Sequence, residues 1–215
     1  INSAYGISNC SRTNMTRMLL DKCVPHPASL IVETDTNLIP LLEEASIRNC
    51  WIKRGDMHAI LPEDVTYADS PKDAWKRLRE FAMRKIKTVV INEHLTGDLV
   101  KFYGVKDTDF FYWFYPTAAS HSKFGLERIN GPAKGIPFDP SALQALCTRA
   151  ASILNVSIYG GDCIVCNDEI IRIIDFNDWP SFAPCREDAA VYIAAHIRSQ
   201  VNSNIQCRNV KSVAI

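Results

Sequence analysis

Ile158–Tyr159–Gly160–Gly161–Asp162–Cys163–Ile164–Val165–Cys166 and Ile170–Ile171–Arg172–Ile173–Ile174–Asp175–Phe176–Asn177 flank the polar triplet Asn167–Asp168–Glu169. Apolar, largely β-branched runs on either side of a turn signal predict a hairpin over 157–166 and 170–177. With Asp168 and Glu169 as a two-residue turn, the register sets Asp162 directly opposite Asp175; a three-residue turn would break that register. Two carboxylates facing across a ladder repel. An apolar hairpin keeps such a pair only with a shared proton or a cation between them. Strand alternation puts Asn177 on the face of Asp175 and turns Phe176 away. Three oxygen donors thus meet at one strand end, a set that suits Mg²⁺ or Mn²⁺ carrying phosphates. The same residues also suit a plainer role, one Asp capping a turn and Asn177 opening a loop.

Before this hairpin the chain changes rhythm once. Arg12–Leu20 is helix-like after Asn9 and Ser11 as caps, and Pro25 and Pro27 follow it. Strands are predicted over 29–33, 50–53 and 88–92, and helices over 38–47 and 71–87, an alternation with βαβ-like character. Residues 54–64 read as a polar loop. The helix from Pro71 carries seven basic residues against two acidic ones, flanking an apolar stripe of Trp75, Leu78, Phe81 and Ala82. That pattern is a solvated face. A second part follows Glu93–Gly97: strands over 99–105 and 110–115 joined by Lys106–Asp109, a mobile loop over 120–137, a helix over 140–154, the hairpin, and a helix over 187–198. The aromatic run Phe110–Tyr115 reads as a central strand packed on both faces rather than a base-stacking platform.

The 215 residues suffice for one or two domains, and 47% apolar against 22% charged residues allow a sizeable core. Lys plus Arg (24) balances Asp plus Glu (24), which argues against nucleic acid or an anionic membrane as a partner. The apolar stretch Ala189–Ala195 is far shorter than the roughly 20 residues of a membrane span. Cys10, Cys23, Cys50, Cys147, Cys163, Cys166, Cys185 and Cys207 are scattered through apolar sequence, as free thiols of a cytoplasmic protein are. Cys163 and Cys166 form a CxxC without the second pair that structural zinc needs. His94, His121 and His196 follow no ligand pattern. Neither GxxxxGK[ST] nor GxGxxG occurs, so any nucleotide is held by a fold other than a P-loop or Rossmann domain.

The run Ile158–Asp162, then Ile173–Asn177, then Pro180 resembles the metal-binding end of the ATP-grasp superfamily. Other stretches follow in the family's order. Arg12 opens a helix where the family often has a basic ATP contact, before a strand led by Pro27–Ala28–Ser29. Trp51–Ile52–Lys53 is similar to the strand whose lysine touches ATP phosphates. Val90–Leu95 resembles the hinge whose backbone meets adenine, and Gly97–Lys101 the strand with a basic residue directed at the site. Two departures stand out: Arg54–Gly55–Asp56–Met57–His58–Ala59 has one glycine where the family has a glycine-rich phosphate loop, and Pro180–Ser181 replaces Pro-Gly. A loop with side chains presents fewer bare N–H groups to phosphate.

The resemblance, spanning Arg12–Arg198, implies an α+β ATP-grasp fold in which two α+β subdomains with antiparallel sheets clasp ATP. Residues 1–26 lead, 27–93 form the small subdomain, 94–200 the large one with the metal site, and 201–215 a tail. The start at Ile1 and the absence of the α/β domain that commonly precedes this module fit a fragment. The implied sites are Arg12, Lys53, Asn92, Glu93 and Leu95 for ATP, Asp162, Asp175 and Asn177 for Mg²⁺ or Mn²⁺, and Lys101 as the catalytic residue. The implied reaction is carboxylate–amine (or carboxylate–thiol) ligation through an acyl phosphate. A small-molecule kinase and a nucleotide-binding protein without turnover are the alternatives. The acceptor, a small molecule or peptide, is expected near Lys123, Arg128 and Lys134.

Overall fold

A computed structural model describes residues 1–116 and 125–212, with side chains described to residue 203. Two short helices open the chain, α1 (Ala4–Asn9) and α2 (Arg12–Asp21). The strands β1 (Ser29–Glu33), β2 (Cys50–Arg54), β3 (Val65–Ala68) and β4 (Thr88–Glu93) form one sheet in the order β1-β4-β2-β3, antiparallel throughout. The βαβ-like alternation is therefore not a parallel sheet. β3, in the stretch between the expected loop and the helix from Pro71 where no element is expected, pairs beside β2 and completes the sheet.

Helices α3 (Leu38–Glu44) and α4 (Pro71–Met83) cover one face of this sheet. Leu38, Leu42, Ala74, Leu78 and Phe81 pack on Val32, Ile52, Val89 and Ile91, all buried. Helix α4 starts where the sequence says it must: Pro71 fills the first turn and Ser70 Oγ accepts from the Asp73 N–H at 3.3 Å.

The second sheet runs β6-β5-β7-β8, with β5 (Gly97–Val105), β6 (Phe111–Phe114), β7 (Ile158–Cys166) and β8 (Ile171–Asp178), again antiparallel. On one face α2 and α5 (Pro140–Leu154) bury Met15, Leu19, Leu143, Cys147 and Leu154 against Val100, Phe102 and Phe176. On the other face Tyr103, Val105 and Ile158 meet Phe182, Cys185 and Ala189. Helix α6 runs Arg186–Ser212, beyond the expected end at Arg198 and into the expected tail, because neither Gly nor Pro follows Arg186 before Ser212. Strand β6 contacts both hydrophobic clusters as expected, but it lies at the sheet edge, not the centre.

The hairpin reaches its expected register by an unexpected route. Its turn has three residues, 167–169, closed by the Cys166 N–H on the Ile170 carbonyl at 3.1 Å, with Glu169 left-handed at φ 62°. This shifts the pairing by one. A β-bulge that leaves Ile174 without a ladder partner shifts it back, and Asp162 stands opposite Asp175 after all. Gly161 permits the close approach there: a Cβ on it would lie 2.2 Å from the Asp175 carbonyl oxygen.

Candidate active site

A cavity of about 280 Å³ lies between the two sheets, and all nine residues expected from the sequence line it: Arg12, Lys53, Asn92, Glu93, Leu95, Lys101, Asp162, Asp175 and Asn177. Arg12 reaches it from the first position of α2. A cation at a helix N-terminus is disfavoured by the helix dipole, and the offset comes from Asp175. The Arg12 guanidinium donates through both terminal nitrogens to the two Asp175 oxygens, at 3.3 and 3.4 Å.

On the other side of the carboxylate pair stands Lys101, opposite Asp162 in the β5–β7 register. Its Nζ donates to Asp162 Oδ1 at 3.1 Å and lies 3.5 Å from Glu127 Oε1. Burial works against this ammonium, but Asp162 and Glu127 outweigh it and raise the Lys101 pKa above the ordinary lysine value. The two carboxylates diverge in the same way. Burial raises both, and at Asp175 the charges of Arg12, Lys53 and His58 reverse the effect and bring it down to about 2. Asp162, opposed by Lys101 but repelled by Asp175, stays raised.

The repulsion between the facing carboxylates is also met by side chains of the protein itself. Each has its own basic partner, supplied by elements far away in the chain.

From the first sheet Lys53, 6% exposed, donates to the Ile174 carbonyl at 2.9 Å, so the β8 bulge supplies the acceptor that joins the sheets. Burial and the neighbouring Arg12 lower its pKa to about 8, against the pull of Asp175 and Asp162. Asn92 and Glu93 turn polar groups to the start of β1 and the residue before it: Asn92 Nδ2 donates to Ser29 Oγ at 2.8 Å, and Glu93 Oε1 accepts from the Ala28 N–H at 2.9 Å. Trp51 borders the same end of the cleft, its Nε1 donating to His94 Nδ1 at 3.1 Å, which gives His94 a structural place.

Sequence reasoning missed Glu127 and His58. Glu127 sits on the 3₁₀ turn Leu126–Ile129, within the stretch expected to be mobile loop. The described part of that stretch is pinned: Asp98, 1% exposed, accepts from the N–H groups of Lys134 at 2.7 Å and Ile136 at 2.8 Å. Arg128 and Lys134 are exposed and do not line the cleft, so they are not brought to the site, while Lys123 lies outside the described residues. His58, on the loop after Lys53, lines the cavity and lies 3.2 Å from Asp178 Oδ1.

Asp162, Asp175 and Asn177 fit a hard divalent cation by chemistry and by shared face. Among the described residues no group of three His, Cys, Asp or Glu could hold an ion alone.

No protein-family model and no curated protein matches the chain. Solved structures do. D-alanine–D-alanine ligase from Coxiella burnetii superposes with a TM-score of 0.66 at 11% identity, covering 97% of this chain and 64% of that one. D-alanyl-alanine synthetase A from Vibrio cholerae gives 0.62 at 11% identity, over 85% of this chain and 60% of that one. The ATP-grasp ligase PsnB, complexed with precursor peptide PsnA2 and AMPPNP, gives 0.58 at 18% identity, over 90% and 61%. This chain thus spans about three-fifths of the length of each. Its two antiparallel four-stranded sheets and these likenesses show the ATP-grasp fold.

Proposed function

We propose that the chain binds ATP with Mg²⁺ between its two sheets and serves a ligase that joins a carboxylate to an amine through an acyl phosphate. The observation that carries this reading is the convergence of three basic side chains, Arg12, Lys53 and Lys101, on the facing pair Asp162 and Asp175 in one cleft. A nucleotide triphosphate with its metal is the ligand whose charges match both sets.

In this reading residues 27–93 and 94–200 act as the two halves of the clasp. Backbone groups of residues 93–95 and the side chain of Leu95 receive the adenine, beside Trp51. Arg12 and Lys53 neutralise phosphate oxygens. Asp162, Asp175 and Asn177 hold the cation, so Arg12 and Lys101 exchange their carboxylate partners for phosphate. Lys101, between Asp162 and Glu127, is the group nearest the acceptor and steadies the transferred phosphoryl. Bound Mg-ATP supplies the activated phosphoryl group; the protein supplies alignment and charge, and needs no nucleophile of its own. The acceptor is a small molecule or a peptide, and the buried free thiols suit a reducing compartment.

Thermal unfolding with and without Mg-ATP tests the reading. Ligand at 100 times Kd adds about 2.7 kcal/mol. A melting temperature that millimolar Mg-ATP leaves unchanged refutes it, and release of ADP and phosphate that requires both a carboxylate and an amine separates ligation from phosphoryl transfer and from binding alone.

A further inference from the structure

Helix α4 has two faces of opposite character. Ala74, Leu78 and Phe81 are buried against the first sheet. Lys72, Trp75, Lys76, Arg79 and Met83 follow one another at i, i+3, i+4, i+7 and i+11, the spacing of a single helix face, and all five are exposed. The sequence sets Trp75 in the apolar stripe, but Ala74 takes the inward direction and leaves Trp75 42% exposed.

Charge is sorted along the same helix. Its two carboxylates are taken by one arginine: Arg77 lies 3.4 Å from Asp73 Oδ1 and 3.6 Å from Glu80 Oε2. Among the described residues no carboxylate forms an ion pair with Lys72, Lys76 or Arg79. A chain of zero net charge therefore gathers three uncompensated cations around an exposed tryptophan. The Arg79 guanidinium stands over the Trp75 ring, 6.0 Å from its centroid. Both residues border an open groove whose other wall is Asp35, Thr36, Asn37 and Ile39. A solvated helix gains nothing from a large ring in the middle of its outer face, whereas Trp and Arg side by side are the residues on which binding surfaces depend most.

We propose that this outer face of α4 docks an acidic segment of a partner polypeptide, its carboxylates along Lys72, Lys76 and Arg79 and one large apolar side chain in the groove on Trp75 and Ile39. From Lys72 to Met83 the helix rises about 16 Å, the span of about five extended residues. Thr36 and Asn37 offer hydrogen bonds to a peptide backbone. Asp35 and the chain's zero net charge oppose a nucleic-acid strand, which would bring a phosphate at every residue. The surface is separate from the cleft. Ile52 and Ile91 pack beneath the helices, while Trp51, Lys53 and Asn92 turn to the opposite face of the sheet and line the cavity. The inference therefore stands apart from the nucleotide reading.

Calorimetric titration of the full chain with a synthetic Glu-rich peptide carrying one central Leu tests it, with the Trp75 indole N–H followed by NMR. Binding is expected with a shifted Trp75 signal, and none with the peptide in which Gln replaces every Glu. Affinity should fall at least about tenfold in the double variant Lys72→Glu, Lys76→Glu, about tenfold in Trp75→Ala, and several-fold between about 50 and about 300 mM NaCl. All these side chains are exposed, so the variants should melt as wild type does. Any shift that Mg-ATP gives should also be unaltered in them. No binding at millimolar peptide overturns the proposal, as does equal binding of the Gln peptide or unchanged affinity in either variant. Binding of oligothymidylate in place of the acidic peptide overturns it too, and makes the stripe a nucleic-acid contact.

Discussion

Asp162 and Asp175 face each other across β7 and β8, and each is held by a different base: Asp175 by Arg12 at 3.3 and 3.4 Å, Asp162 by Lys101 at 3.1 Å. The pair is balanced from outside rather than through a shared proton. A ligand that brings both cation and phosphate can exchange all of these partners at once without leaving a buried charge alone.

This pairing sets the sign of the first prediction. If repulsion between the carboxylates dominated, Asp175→Asn would stabilise the ligand-free protein. With Arg12 only 4% exposed and bound to both Asp175 oxygens, the substitution leaves a buried guanidinium without its partner. Asp175→Asn is expected to cost about 2–3 kcal/mol in urea unfolding and to remove the Mg-ATP shift. Asp162→Asn should cost less, since Lys101 keeps Glu127. A variant at position 175 as stable as wild type would show that Arg12 contributes nothing there.

Acid unfolding provides a second check. The folded Asp175 pKa of about 2 lies below the ordinary 3.8, so its stabilisation is present above about pH 4 and is lost as pH falls through 2. The stability gap between wild type and Asp175→Asn should therefore narrow by about 2 kcal/mol between pH 5 and pH 2. A gap that stays constant over that range would remove the Arg12–Asp175 pair as its cause.

Lys53→Met separates binding from folding. The substitution keeps much of the buried stem, removes a charge that burial already disfavours, and leaves the Ile174 carbonyl without its donor. Stability should change by no more than about 1–2 kcal/mol, whereas Mg-ATP affinity, measured by calorimetry, should fall about tenfold to a hundredfold. Unaltered affinity would place the phosphates elsewhere.

Asp98→Ala tests the segment that presents Glu127. Without that buried carboxylate the N–H groups of Lys134 and Ile136 lose their acceptor. A loss of about 2 kcal/mol is expected, together with faster tryptic cleavage after Lys134. Equal cleavage rates would mean that the rest of the fold holds this segment without Asp98.

Local pattern determined much of this protein. Alternation in 171–178 put Asp175 and Asn177 on one face and Phe176 in the core, Pro71 and the stripe Leu78–Phe81 placed α4, and the order of short motifs named nine residues that line one cavity. These features depend on neighbours a few positions apart, which periodicity and turn chemistry report directly. Even so, the facing register depended on two local irregularities that cancel, the three-residue turn and the Ile174 bulge.

Tertiary structure alone decided which charge meets which. Arg12 reaches Asp175 over 163 positions, His58 reaches Asp178 over 120, and Lys101 reaches Asp162 over 61. It also put Glu127 beside Lys101, placed β6 at a sheet edge, and formed β3 in a stretch with no predicted element. No periodicity carries such pairings. They arise when two separately built sheets close on each other and each buried charge must find a partner, wherever in the chain that partner lies.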